Sequence, residues 1–258
     1  MTLVDVLNLF QQGNLVVFLL VAARTSAAMA VGPLAAWPGV PLPARVLLGL
    51  GIALALAPAV PTALPAAHLH LGPVELVQEL ILGLLLGVAS TLLVSALQLA
   101  AGLIDFQAGF TFGTSIDPLA GHQTGPIEQF LGAFAAVLFL DLNGHHLFLL
   151  ALADWFQIAP VGGMPRLAGA DSLAGFFAAI VVAALAMALP IVTLLLLTDV
   201  ALALLSRAAP QFNLFAVGLP ARAGVVLLTL ALLLPVTATQ LGYLFDRLPD
   251  ILPILVPR

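Results

Sequence analysis

Cysteine is absent from the 258 residues, which excludes disulfides, thiolate metal sites and cysteine nucleophiles together. Lysine is absent as well, leaving seven arginines against twelve Asp and Glu and a net charge of −5. The chain therefore lacks the basic footprint of a nucleic-acid binder. Charge of either sign is scarce, at 7% of residues against roughly a quarter in ordinary soluble domains. With 62% hydrophobic side chains and a mean hydropathy of +1.20, too few charges remain to coat a 26.6 kDa particle in water. Lipid or apolar protein must be the main solvent. Strand-like alternation is missing too, and backbone groups in hydrocarbon must bond internally, so the expected fold is an all-α integral membrane protein.

What the chain does contain is long apolar runs. Leu80 to Ile104 gives 25 residues without Asp, Glu, Lys or Arg, Ser172 to Thr198 gives 27, and Ala223 to Phe245 gives 23. Each exceeds the ~20 needed to cross hydrocarbon as a helix. Leu15 to Val31 holds Arg24, and Val46 to Val60 is short and ended by Pro58 and Pro61, so both are weaker spans. Phe130 to Ala153 is interrupted by Asp141-Leu142-Asn143-Gly144-His145-His146 and reads as two half-helices or one interrupted helix. Five or six long hydrophobic helices with broken or re-entrant segments result. Asp5 and the lack of a basic n-region argue against a cleavable signal, and no repeat or polar linker divides the chain. Arginines do not orient it: alternating six spans puts Arg45, Arg207 and Arg222 on one side and Arg166, Arg247 and Arg258 on the other.

Gly83, Gly87, Thr91 and Ser95 recur every four residues and line one helical face with small side chains. Such a ridge lets another helix approach closely, within the chain or in another subunit; a ligand groove is the alternative. After Ile104 the segment Asp105 to Pro118 mixes Phe106, Phe110 and Phe112 with Gly109, Gly113 and polar residues. It reads as a poor helix and a poor loop, fit either for a re-entrant gate or for a buried, broken connection. His145 and His146 are adjacent and diverge by about 100° on a helix, and no His-Glu-x-x-His pattern accompanies them, so no metal site is expected. Asn143-Gly144-His145 reads instead as a helix-breaking turn whose polar side chains bond backbone groups. No Gly-x-Ser-x-Gly elbow supports an enzyme. Arg24, Asp141 and Asp199 lie within apolar runs and need partners, structural or as a proton relay, which the sequence does not assign.

Ala188-Leu189-Pro190-Ile191, then Asp199, then the block from Ser206-Arg207 through Pro210-Gln211-Phe212-Asn213-Leu214-Phe215 to Gly218-Leu219-Pro220 resembles the C-terminal half of the flagellar biosynthetic protein FliR family. Gln107-Ala108-Gly109 through Asp117-Pro118, and Leu138-Phe139 through Asn143-Gly144-His145, agree with it as well. The likeness runs from about Arg24 to Leu255. It implies an R subunit of a type III secretion export gate, assembled with several copies of P and Q subunits into a helical pore complex. It further implies contact with other export-apparatus membrane proteins, unfolded protein substrates and membrane lipid, with no nucleic acid, no cofactor and no enzymatic activity. The expected location is the bacterial inner membrane at the flagellar basal body. Residues from about 1 to 165 would form a P-like part and those from about 170 to 258 a Q-like part. Such a complex lies largely above the plane that hydropathy would assign, which suits the even arginine count.

On the same resemblance, Phe106, Gln107, Gly109, Phe110 and Phe112 fall in the family's plug loop. Arg207, Pro210, Gln211, Phe215 and Pro220 would serve subunit contacts or folding, as would Asn143, Gly144 and His145. Many relatives carry Met where this chain has Ala108 and an apolar residue where it has Ser115, so the seal would be looser or built from other side chains. No Gly-x-x-x-x-Gly-Lys-Ser/Thr motif is present, which leaves the energy for export to other components or the proton-motive force. Two other readings stand beside this one. The paralogous injectisome subunit has the same role, and a small-solute secondary transporter would require inverted repeats with paired broken helices.

Overall fold

Residues surrounded by hydrocarbon satisfy their backbone most simply within a helix, and the described residues of this chain do so almost throughout. A computed structural model of the chain describes residues 12–33, 40–63, 71–111, 124–163, 169–209 and 214–246. These fold into α1 (Gln12–Val31), α2 (Leu42–Leu56), α3 (Pro73–Ala108), α4 (Pro126–Asp141), α5 (Gly144–Ile158), α6 (Ala170–Ala208) and α7 (Leu214–Asp246). Three stretches, Pro73–Ala108, Ala170–Ala208 and Ala216–Phe245, are long and apolar enough to cross a membrane, and the pair α4 and α5, bent by 68°, could make a fourth span. Helices α1 and α2 are apolar but shorter.

The long helices overrun the apolar stretches read from sequence. Helix α3 contains Glu75, Glu79 and Asp105, and α6 contains Asp199 and Arg207. A charge ends an apolar run without ending a helix. At 36 residues α3 rises about 54 Å, well beyond a hydrocarbon core of about 30 Å. Pro190, Pro220 and Pro235 sit inside α6 and α7. Several hydroxyls inside the helices bond their own preceding turns, as Ser90 does to the Leu86 carbonyl at 2.7 Å and Thr229 to that of Val225 at 2.7 Å, so these add no unpaired donor to an apolar environment.

The chain divides into two compact units. The first draws its described residues from Met1–Val94, Phe139–Phe177 and Leu244–Arg258, the second from Ser95–Leu138 and Ala178–Tyr243. In the first, small residues let helices approach: a Cβ on Gly87 would lie 2.7 Å from the Ala28 carbonyl oxygen, and one on Gly83 would strike the Arg24 carbonyl. Thr91 donates to the Val31 carbonyl at 2.5 Å, which extends the same α1–α3 contact by one more turn. Three of the four ridge positions thus face α1, while Ser95 is half-buried in the second unit.

A buried ion pair sits beside that contact. Arg24 Nε donates to Glu79 Oε2 at 2.5 Å, with 0% and 1% of the two side chains exposed. Arg24 Nη1 donates to the Ala159 carbonyl at 2.6 Å, and its guanidinium lies 4.5 Å from the Phe156 ring centroid. Glu79 Oε1 accepts the Gly162 N–H at 3.0 Å. The pair therefore pins the chain after α5 onto α1 and α3. That chain in turn meets the one following α2, since Val161 donates to the Pro61 carbonyl and accepts from the Ala63 N–H. Trp155 is fully buried and donates from Nε1 to the Leu82 carbonyl at 3.2 Å.

Candidate functional site

The segment singled out from sequence begins on a helix rather than on irregular backbone. Helix α3 continues through Asp105, Phe106, Gln107 and Ala108 before turning at Gly109. Gly109 has φ of 83°, a conformation that costs a residue without Cβ little. Its N–H donates to the Phe106 carbonyl at 3.1 Å and the Phe110 N–H to the Asp105 carbonyl at 3.0 Å, the two bonds of a Schellman cap. The glycine read as permitting irregular backbone closes a regular helix. Phe112 lies outside the described residues.

Asp105 is buried and does work at a distance. Its two carboxylate oxygens accept the N–H groups of Ile127 at 3.1 Å and Glu128 at 2.8 Å, at the second and third positions of α4. A side chain 22 residues upstream thus takes the part an N-cap residue usually plays, and Gly125, which stands where the cap would be, leaves room for it. Pro126 starts the helix without needing a donor.

Gln107 points to another partner. Its Nε2 donates to Asp199 Oδ2 on α6 at 3.3 Å, while Arg222 on α7 donates from Nε to Oδ1 of the same carboxylate at 2.7 Å. Arg222 and Asp199 keep 31% and 28% of their side chains exposed. Phe106, between the two anchored residues, is 72% exposed. Residues 105 and 107 are turned about 200° apart on a helix, so the final turn of α3 is held from opposite sides with an uncovered aromatic ring between. Phe110 is half-buried and Ala108 buried.

Other residues named from sequence lie elsewhere. Asn143 adopts the left-handed conformation, φ 54° and ψ 32°, between α4 and α5, and its side chain makes no capping bond. The expected side-chain bonding is replaced by the backbone: the Asn143 carbonyl accepts from the N–H groups of His146 and Leu147 at 2.9 and 3.1 Å. Gly144 packs against Phe139, whose ring also meets Phe245 edge-on at 5.4 Å. His145 is exposed and borders an apolar cavity of about 270 Å³ lined by Met29, Ile52 and Phe148 among others. Arg207 is exposed in the last turn of α6, where it complements the helix dipole, and Pro220 is exposed within α7. Pro210 and Gln211 lie outside the described residues, as does the side chain of Phe215. Of the three intramembrane charges flagged, Arg24 pairs with Glu79 and Asp199 with Arg222, while Asp141 is exposed at the end of α4. Among the described residues no three His, Asp or Glu converge as a metal would require.

The sequence matches a known set of proteins along most of its length. The profile of "Bacterial export proteins, family 1" covers residues 15–248. Flagellar biosynthetic protein FliR of Pectobacterium carotovorum subsp. carotovorum is 36% identical over 211 residues, 81% of each chain. FliR of Escherichia coli (strain K12) is 33% identical over 219 residues, 83% of this chain and 84% of that one. Surface presentation of antigens protein SpaR of Salmonella typhimurium is 35% identical over 157 residues, 60% of this chain and 59% of its own. An all-helical, lipid-adapted chain matched across both of its compact units in this way belongs to the FliR family of bacterial export proteins.

Proposed function

We propose that the chain is the R subunit of a flagellar type III export gate, seated in the inner membrane at the basal body, where it helps build and close the channel for unfolded export substrates. The observation that carries this reading is the family match over residues 15–248, reinforced by FliR relatives that align with more than four fifths of the chain. SpaR aligns with 60% of it, which favours the flagellar reading over the injectisome one. Its role is structural and gating, not catalytic.

In this reading P and Q subunits cover the apolar faces that the chain leaves open. The hydrophobic windows of α6 and α7 are only 33% and 17% buried within the chain, against 56% for α3. Lipid tolerates such surface, and so do neighbouring subunits. The N-terminal portion to about residue 165 serves as the P-like part and the portion from about 170 as the Q-like part. Phe106, Gln107, Gly109, Phe110 and Phe112 form the plug, in which apolar side chains block the lumen sterically and by dewetting.

The test is electrical. Complexes carrying Phe110→Ala with Phe112→Ala should assemble as the parent does and conduct ions at rest, read as dye or current leak across the membrane. Unchanged conductance in assembled complexes removes the plug.

A further inference from the structure

One carboxylate on α6 serves two elements at once. Asp199 accepts from Arg222 of α7 at 2.7 Å and from Gln107, in the last turn of α3, at 3.3 Å. These bonds differ in strength. The Arg222 bond is short and charged at both ends, whereas the Gln107 bond is long and charged only on the acceptor side. On the far side of the same turn, Asp105 holds α4 through two backbone bonds of 3.1 and 2.8 Å. Any rotation or withdrawal of the turn bearing Phe106 must break either that bidentate anchor or the Gln107 bond. The Gln107 bond is the weaker, so it yields first.

We propose that Asp199 is a latch. It holds the base of the plug closed through Gln107 and ties it to α6 and α7 through Arg222, and opening begins when Gln107 leaves the carboxylate while the Arg222 pair persists. Asp199 is thus a positioning residue, acting on the plug without lining it, and the inference rests on the plug reading above. The proximity of a neutral amide, where a cation could have paired more firmly, fits a contact that must release.

The experiment compares resting ion leak in membranes carrying the full assembled complex, with recovery in mild detergent as the measure of assembly. Gln107→Glu sets a carboxylate against Asp199 and should raise leak by about tenfold, the population change expected when one hydrogen bond to a charged group is lost. Adding Asp199→Asn to Gln107→Glu removes the repulsion and should return leak toward the parent. Gln107→Arg strengthens the bond and should hold leak at or below the parent level while slowing export. A merely structural glutamine would not shift leak in opposite directions with the sign of its charge. The Phe110→Ala, Phe112→Ala complex runs in parallel. If it leaks while assembled Gln107→Glu and Gln107→Arg complexes behave as the parent, the latch is wrong and the plug stands. If it too stays tight, plug and latch fall together. Should Gln107→Glu not assemble, parental leak and parental export in Gln107→Arg overturn the latch.

Discussion

Among the described residues each compact unit holds one arginine–carboxylate pair, and the two pairs are built on opposite terms. Arg24 and Glu79 are sealed off, and every oxygen of the carboxylate is used, one by Arg24 and one by the Gly162 N–H. Asp199 and Arg222 are about a third open, and among the described residues the second oxygen of Asp199 is engaged by a long bond to Gln107. A sealed charge cannot exchange partners without being stranded in an apolar interior, so the first pair fixes geometry. A half-open one can exchange them at small cost, so the second can take part in motion. The two pairs differ in burial, one sealed and one about a third open, and on the latch proposal that difference separates a fastening from a contact that yields.

The comparison breaks most readily at Glu79. Replacing it with Ala leaves Arg24 buried and unpaired and frees the Ala159 to Gly162 stretch, a loss of about 3–5 kcal/mol. Recovery of monodisperse protein in mild detergent should collapse, and normal recovery would dissolve the distinction between the pairs. Gly87→Leu probes the neighbouring α1–α3 contact, where even a Cβ would lie 2.8 Å from Val31 Cγ2. Overpacking of this kind costs about 1–3 kcal/mol, read as a lowered thermal midpoint and failure to recover complexes. Asn143→Ala forces a side chain with no local polar compensation into the left-handed region, at about 1–2 kcal/mol, whereas Asn143→Gly should be nearly neutral; equal melting of the two would mean the turn tolerates another conformation. A small stability effect should come from Asp199→Asn, about 1 kcal/mol or less for a pair this exposed. It should leave recovery intact while altering leak, the reverse of the Glu79 variant.

Much of this fold is legible in the sequence because lipid imposes a simple rule. Runs from Leu80, Ser172 and Ala223 fall within α3, α6 and α7, and the polar interruption at Asp141 to His146 falls where α4 gives way to α5. The ends were less legible, since run boundaries marked charges while helix boundaries depended on caps such as Gly109 and on the distant Asp105. Segment Asp105 to Ala108 misled for the same reason: Phe106 and a nearby glycine read as a poor helix, yet the carbonyls of Asp105 and Phe106 find their partners just beyond the helix end. Ridge residues Gly83 and Gly87 could be read as a packing face, but their partner α1 could not. Pairings were beyond reach altogether. Glu79 and Arg24 are 55 residues apart and Gln107 and Asp199 are 92 apart, and nothing local in a single sequence links them. Glu79 had one available signal, as the last charge before a long apolar run and hence the nearest carboxylate to that run's packing face.

The central claim is that this polypeptide acts as one part of a multi-chain export channel. Its most direct test is to isolate the chain from native membranes in mild detergent and identify what accompanies it. The account predicts a discrete assembly in which this chain is held by several copies of smaller membrane subunits. A lone monomer that moves small solutes when reconstituted by itself in liposomes would contradict it.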